Sequence, residues 1–478
     1  MRNSLNFYCQ QTQRAIGAWL RNTATDSRFP LGNFLKRRAY SAALEIEEAM
    51  LQGTQFLSLE LFRKQRLPRL QSLLFHAYNQ VGLYQNLFSR KGAHPKDVSS
   101  EDDLERLPIV TKSTFLERHP DWDYVLAKNI PYSRRVPGIT SGSTGEPFRH
   151  FLDQKFSAVT RAHLYRPWRW AGVDPAAPTV HCSAPHASAN TPNTVFLHPH
   201  YIQSKKREYI TAIRQSGAKI IRGYPLTNFE LAWMLHQEGC RDITFTHAFF
   251  VGHALSAGIR DFFTREFRCE VYNYYASQET GPLATECGNH NGLHIHEENF
   301  IIEIADESGA PVPEGRQGWV TITSLVNEVM PFIRYHIGDV GLIMPGRCPC
   351  GRTSRRVLIE GRKEDLLIRP DGQCIYPGII RDVLDEHFDV FQRYQVIQTT
   401  PNTLLLRVVP TAHFTPRVWQ LALAEFKRCI GRGMHVVTEL TDHIPPLPNG
   451  KFQYFVSEFW RQRFPAELFE YQIERAEK

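Results

Sequence analysis

The sequence lacks several features that would settle its class at once. No run of 18 or more apolar residues occurs among its 478, so no membrane-spanning helix is expected. Its net charge of +7 is small for this length and thinly spread. That argues against nucleic acid as a partner and suits small anions such as nucleotides. Only nine cysteines are present, an odd set scattered from Cys9 to Cys429, with no secretory signal. This excludes a disulfide framework and points to a reduced, cytoplasmic protein. No internal repeat or low-complexity tract is visible. The glycine-rich stretch Gly-Ile-Thr-Ser-Gly-Ser-Thr-Gly-Glu-Pro-Phe at 138–148 has Glu146 after its last glycine. It therefore lacks the lysine that a Walker A loop requires.

What is present reads as an α/β protein of two domains. Hydrophobic residues make up 42% and charged residues 22%, an ordinary globular balance, and the length exceeds a single core. Leu70, Leu73, Leu74, Ala77 and Tyr78 fall on one face of a helix expected from Arg66 to Phe88. Ala218 to Ile221 and His247 to Val251 read as buried strands around a helix from Asn228 to Glu238. Phe300 to Ile304 and Trp319 to Thr323 alternate at period two across a Pro-Val-Pro-Glu-Gly turn. Beyond Arg362, Tyr394 to Thr399 and Thr403 to Val409 read as a strand pair. A helix from Pro416 to Ile430 follows, with Thr415 as its cap and Gly431 past its end. These patterns divide the chain into a basic helical extension (1–50), a large domain (51–362) and a small C-terminal domain (363–478).

Five stretches carry chemistry. Clustered Gly, Ser and Thr from Thr140 to Gly145 let backbone N–H groups and hydroxyls converge on an anion. In Tyr274-Tyr275-Ala276-Ser277-Gln278-Glu279-Thr280-Gly281, a carboxylate ends an aromatic run, which suits a hard cation such as Mg²⁺. In Ile333-Arg334-Tyr335-His336-Ile337-Gly338-Asp339, an aspartate at a turn offers two acceptors for paired ribose hydroxyls. Ile359 to Asp365 spans the domain junction, and Pro448-Asn449-Gly450-Lys451 sets one lysine on a turn. Taken singly, each has a commoner reading as a surface loop or turn.

In this order and spacing, the five resemble the adenylate-forming enzymes, specifically the phenylacetate–CoA ligase branch and its CapK-type capsule-biosynthesis relatives. The resemblance runs from about Leu67 through Phe455. It implies a large ATP- and acid-binding domain followed by a small mobile one. Thr140, Ser141, Gly142, Ser143, Thr144 and Gly145 would wrap the ATP phosphates, with Tyr275 and Gln278 beside the nucleotide. Glu279 would hold Mg²⁺, Asp339 the ribose, and Arg362 the nucleotide near the hinge. Lys451 would bridge the substrate carboxylate and the α-phosphate. The implied activity is carboxylate adenylation followed by thioester formation with CoA. Alternatives are transfer to a non-CoA acceptor, or a non-catalytic nucleotide-binding component of polysaccharide biosynthesis.

The chain departs from that pattern at several places. Phe148 stands where many relatives carry lysine, Ala276 where glycine is usual, and His253 and Glu364 where glutamate and aspartate are usual. Arg369-Pro370-Asp371-Gly372-Gln373 replaces a glycine-rich run that lines the CoA channel in relatives, which leaves an amine or carrier thiol open as acceptor.

Cys287, His294, Cys348 and Cys350 form a second constellation, with soft ligands suited to tetrahedral, structural Zn²⁺. His290 and His296 are reserves for His294. The extension carries seven basic residues in its first forty against one acid, Asp26. It is expected to touch a membrane surface or a partner protein. The sequence also admits a homodimer.

Overall fold

The computed structural model describes residues 30–117, 122–140, 148–153, 155–182, 193–252, 255–362, 365–371, 374–375, 377–387, 390–445 and 452–457. The glycine-loop residues 141–145, Lys451, His253 and Glu364 lie outside them. Among the described residues, no helix is long and apolar enough to cross a membrane.

Two helices open the described chain, α1 (Pro30–Thr54) and α2 (Leu59–Gln80). Leu70, Leu73, Leu74 and Ala77 of α2 are buried, as their spacing predicts. The expected continuation to Phe88 is interrupted at Val81. Its backbone is extended, and its N–H bonds to the Ala77 carbonyl, so a second helix starts at Gly82. After the two-residue strand β1 (Val110–Thr111), β2 (Arg135–Thr140) and β3 (Phe148–Asp153) pair as an antiparallel hairpin. Helix α3 (Phe156–Trp170) then leads into the main sheet.

That sheet joins two halves. In the first, β4 (Thr179–Cys182), β5 (Thr194–Leu197), β6 (Ile220–Gly223), β7 (His247–Val251) and β8 (Glu270–Ser277) run parallel in the order β5-β4-β6-β7-β8. Helices α4 (Lys206–Ser216), α5 (Pro225–Gln237) and α6 (Ala257–Phe267) connect them, as parallel pairing requires. The second half is antiparallel. It continues through β9 (Gly281–Thr285), β10 (Leu293–Ile295), β14 (Arg356–Arg362), β13 (Tyr335–Met344), β12 (Gly318–Ser324) and β11 (Phe300–Ala305). The predicted strand at 218–221 begins two residues later, because Ala218 closes the preceding turn after Gly217.

A separate four-stranded sheet forms after residue 390. It contains β17 (Phe391–Thr400), β18 (Thr403–Pro410), β19 (His435–Leu440) and β20 (Phe455–Ser457) in the order β19-β18-β17-β20. The short pair β15 (Leu367–Ile368) and β16 (Cys374–Ile375) and helix α7 (Pro377–Asp385) precede it. Helix α8 (Pro416–Ile430) is capped by Thr415, whose hydroxyl accepts from the Val418 N–H at 3.3 Å. Gly431 lies past its end with φ of +84°.

Buried ion pairs lock the N-terminal helices to the main sheet. Arg66 of α2 meets Glu101 and Glu297, and Arg355 also reaches Glu297 at 2.8 Å. Arg166 of α3 holds Glu298 with two bonds of 2.7 and 2.9 Å, and Thr54 of α1 donates to the same carboxylate at 2.7 Å. Such pairs are costly to break, because either partner left alone is a buried charge. They fix α1, α2 and α3 around the wall of the cavity described next.

Candidate active site and metal centre

A cavity of about 1030 Å³ opens between the main sheet and the C-terminal sheet. Ligands bind at the carboxyl ends of parallel strands in folds of this kind, and Val251 and Tyr274 to Ser277 bring those ends here. Each described residue of the nucleotide set lines it: Thr140, Tyr275, Gln278, Glu279, Asp339 and Arg362.

The register of β13 on β14 makes Asp339 and Arg362 direct partners. The Arg362 guanidinium donates to Asp339 Oδ1 at 2.9 Å and to the Ile337 carbonyl at 3.2 Å. Asp339 Oδ2 accepts from the Tyr275 hydroxyl across the sheet. Gly338, with φ of +88°, makes the bend that a side chain would strain. Upstream, buried Arg334 clamps this segment by donating to the carbonyls of Glu105, Leu107 and Gly309 while pairing with Glu303.

Glu279 is buried at the end of the β8 turn, where the Tyr335 hydroxyl donates to its Oε1 at 3.2 Å. Burial, and then the charge of the neighbouring carboxylate, pushes both tyrosine hydroxyls well above their ordinary pKa, so they remain donors. An oxygen-donor carboxylate fixed at the cavity wall has the chemistry Mg²⁺ requires. Tyr335 was not singled out by sequence reasoning. Its signal was its period-two spacing with Ile337 and Asp339 inside a stretch already marked.

The glycine loop is anchored at both ends. Thr140 and Phe148 are register partners, and the Phe148 N–H donates to the Thr140 hydroxyl at 3.3 Å. Phe148 is itself buried among Phe115, Phe332 and His150, which gives the departure from lysine a packing reason. The Ala276 methyl likewise packs against the aromatic cluster of Trp168, Phe249 and Tyr274. On the far side of the cavity, Phe452, Gln453, Tyr454 and Phe455 contribute wall directly after Lys451.

Cys287, His294, Cys348 and Cys350 come together on the antiparallel half, their donor atoms within 4.8 Å of one another. The Cys287 and Cys348 sulfurs are 3.7 Å apart, and Cys350 Sγ lies 3.4 Å from His294 Nε2. A zinc tetrahedron with ordinary bond lengths has S···S edges of about 3.8 Å and S···N edges of about 3.6 Å, so the residues fit the ion. His294 Nδ1 lies 3.1 Å from the Ser354 hydroxyl, which directs Nε2 to the thiolates. Of the reserves, His290 bonds to Arg260, and His296 stacks on His163 at 4.1 Å.

Known proteins share this organisation. Residues 367–458 match the family model of the CapK C-terminal domain. The chain is 26% identical over 365 residues to phenylacetate-coenzyme A ligase of Thermus thermophilus, covering 73% of this chain and 80% of that protein. The Escherichia coli protein of the same name is 26% identical over 386 residues, with 73% and 82% covered. In structure the chain is similar to 2-hydroxyisobutyryl-CoA ligase in its postadenylation state, with a TM-score of 0.72 and 21% identity. That match covers 87% of this chain and 94% of the other. The same ligase in its thioesterification state gives a TM-score of 0.57 at 21% identity, over 88% and 94%.

The fold is that of the adenylate-forming ligases. Residues 367–458 match the CapK C-terminal domain, and most of the chain is similar to the phenylacetate-coenzyme A ligases.

Proposed function

We propose that this chain activates a carboxylic acid with ATP and passes the acyl group to coenzyme A. The observation that carries this reading is the convergence of Glu279, the Asp339–Arg362–Tyr275 cluster and the segment after Lys451 on one cavity. A carboxylate oxygen attacks the α-phosphorus, the bond to the β-phosphate breaks, and pyrophosphate leaves with an acyl-adenylate remaining. Asp339 receives the ribose hydroxyls, Arg362 holds that carboxylate in place, and the loop from Ser141 to Gly145 receives the phosphates. Lys451 supplies positive charge where two anions must meet. Mg²⁺ held at Glu279 would neutralise phosphate charge, and Zn²⁺ at the four-ligand cluster would brace the antiparallel half.

In this reading, residues 51–362 bind nucleotide and acid, and residues 363–478 move between the two half-reactions. A cytoplasmic location suits the free thiols of Cys182, Cys240, Cys269, Cys287, Cys348, Cys350 and Cys429, since a reducing compartment keeps the zinc-binding ones available.

The test is pyrophosphate release over a panel of aryl and aliphatic acids, with and without CoA, beside Lys451→Ala. Loss of one such charged donor lowers the rate by about 10² to 10³. Acid-dependent release that survives the substitution would contradict the reading.

A second reading replaces CoA by another acceptor, and one feature favours it. Arg369 donates to the carbonyl of Ile430 at 2.9 Å, so a charged side chain ties the β15–β16 hairpin to the end of α8. Relatives carry glycines in this stretch. Release of pyrophosphate without any CoA-dependent thioester would favour this reading.

A further inference from the structure

Helix α1 lies ahead of Leu67, where the resemblance to the adenylate-forming enzymes begins, yet it reaches the cavity through Tyr40. Its placement follows from α3, on which it packs. The Glu48 carboxylate accepts from Arg169 Nε at 3.2 Å and from a terminal nitrogen of the same guanidinium at 2.9 Å. Arg166 reaches the Leu51 carbonyl at 3.5 Å and shares the Glu298 carboxylate with Thr54. Tyr40 lies eight residues before Glu48, and Arg161 eight before Arg169. Both spans are about 12 Å of helix, so α1 running alongside α3 in the same direction brings Tyr40 level with Arg161. The two side chains are cavity neighbours. Burial lowers the Arg161 pKa, but Tyr165 and then Tyr40 raise it by more, as close neighbours do.

Strand β8 divides this side of the cavity from the nucleotide side. Successive side chains of a strand point to opposite faces. Tyr275 turns to Asp339, on the face that receives the nucleotide in the adenylation reading. Tyr274 and Ala276 turn the other way and pack with Trp168 and Leu164 of α3. The lobe beneath α3 is thereby left to the acid. Phe156, Leu164, Val251 and Leu255 give it apolar walls, which suit an acid with an apolar body.

The reacting end of the lobe lies at Gly281, two residues after Glu279. A Cβ there would be 2.9 Å from the Thr160 hydroxyl and 3.3 Å from the Phe156 ring, so the first turns of α3 rest against it. Below Leu164, buried Trp168 stacks on Phe249 at 4.5 Å and fills the space. On the outer side, level with Arg161, stands the half-buried ring of Tyr40.

We infer that α1 is part of the acid site and that the Tyr40 ring limits the length of acid it accepts. The inference rests on the adenylation reading and deepens it, because it assigns the substrate an apolar body bounded by a residue outside the family resemblance. A misfit of one methylene in an apolar pocket changes selection by about 10- to 200-fold, so one ring is enough to set the limit.

The test is ATP–pyrophosphate exchange by the full-length protein with two series of acids. One runs from butanoate to dodecanoate, and the other is benzoate with para-alkyl chains of rising length. The unsubstituted protein should prefer one length. Tyr40→Ala should move that preference to longer acids, raising kcat/KM for the acid two methylenes longer, relative to the preferred one, by about 10- to 100-fold. Tyr40→Trp should move it to shorter acids by a similar factor, and it carries the test should Tyr40→Ala fail to fold. The change should appear in kcat/KM for the acid and not in KM for ATP. A length preference that stays in place in both variants overturns the inference and leaves adenylation standing. A loss of rate shared equally by all acids also overturns it, since a merely structural tyrosine would give that result. Exchange with none of the acids overturns the adenylation reading itself, and this inference falls with it.

Discussion

Gly258 sits where the two domains touch, and adding one methyl there tests whether their contact sets adenylation. A Cβ at this position would lie 2.1 Å from the carbonyl oxygen of Asp385 and 2.6 Å from its carbon. Carbon–oxygen contacts settle at about 3.3 Å or more, so α6 and α7 must part by roughly 1 Å. Asp385 cannot simply yield, because its Oδ1 accepts from the buried Tyr394 hydroxyl at 2.8 Å. Arg393 and Glu230 also pair across the same boundary, which resists a tilt. Overpacking of this kind costs about 1 to 3 kcal/mol. As a bias against this domain arrangement, that corresponds to about a 5- to 150-fold loss. Alanine is at least as good as glycine near the start of a helix, so each domain should stay intact. Gly258→Ala should therefore slow ATP–pyrophosphate exchange within that range at an unchanged melting temperature. Exchange at the unsubstituted rate would refute the reasoning, as would a loss of exchange that simply tracks a fall in melting temperature.

Two further predictions concern the metal cluster and the buried charges. Metal analysis of protein purified without chelator should find one zinc per chain, and Cys350→Ala should lower both zinc content and thermal stability; full-strength stability at zero zinc would exclude a structural ion. Acid should weaken the fold in two stages. Burial, and then Arg166 and Arg69, hold His163 neutral in the folded state, so unfolded chains take up a proton preferentially below about pH 6.5 and stability falls from there. Burial opposes ionisation of Glu297, but Arg355 and Arg66 outweigh it and bring its pKa to about 2, below the ordinary carboxylate value, so its contribution is present above about pH 4.5 and lost toward pH 2. Urea midpoints measured from pH 7 to 3 should decline throughout, and Glu297→Gln should flatten the lower part; a midpoint that rises on acidification would contradict both assignments.

Much of the fold was legible because local rules and tertiary packing agree there. The cap, first-turn proline and terminal glycine of α8 appear residue for residue. Phe300 to Ile304 and Trp319 to Thr323 are strands as their period-two alternation implies, each slightly longer than that pattern, and the structure pairs them antiparallel. Local rules failed at Val81, where the apolar periodicity of α2 continues into the next helix while the backbone breaks.

By itself, the sequence determined the order of the chemical stretches and the residue types able to do the work: acids at 279 and 339, arginine at 362, and soft ligands at 287, 294, 348 and 350. Each is a short-range property, set by side-chain chemistry and a turn. Only the tertiary structure decided which of them meet. Strand register puts Asp339 opposite Arg362 and brings Tyr275 to the same carboxylate from another strand. Chain reversals set Cys287 against Cys348, 61 residues away.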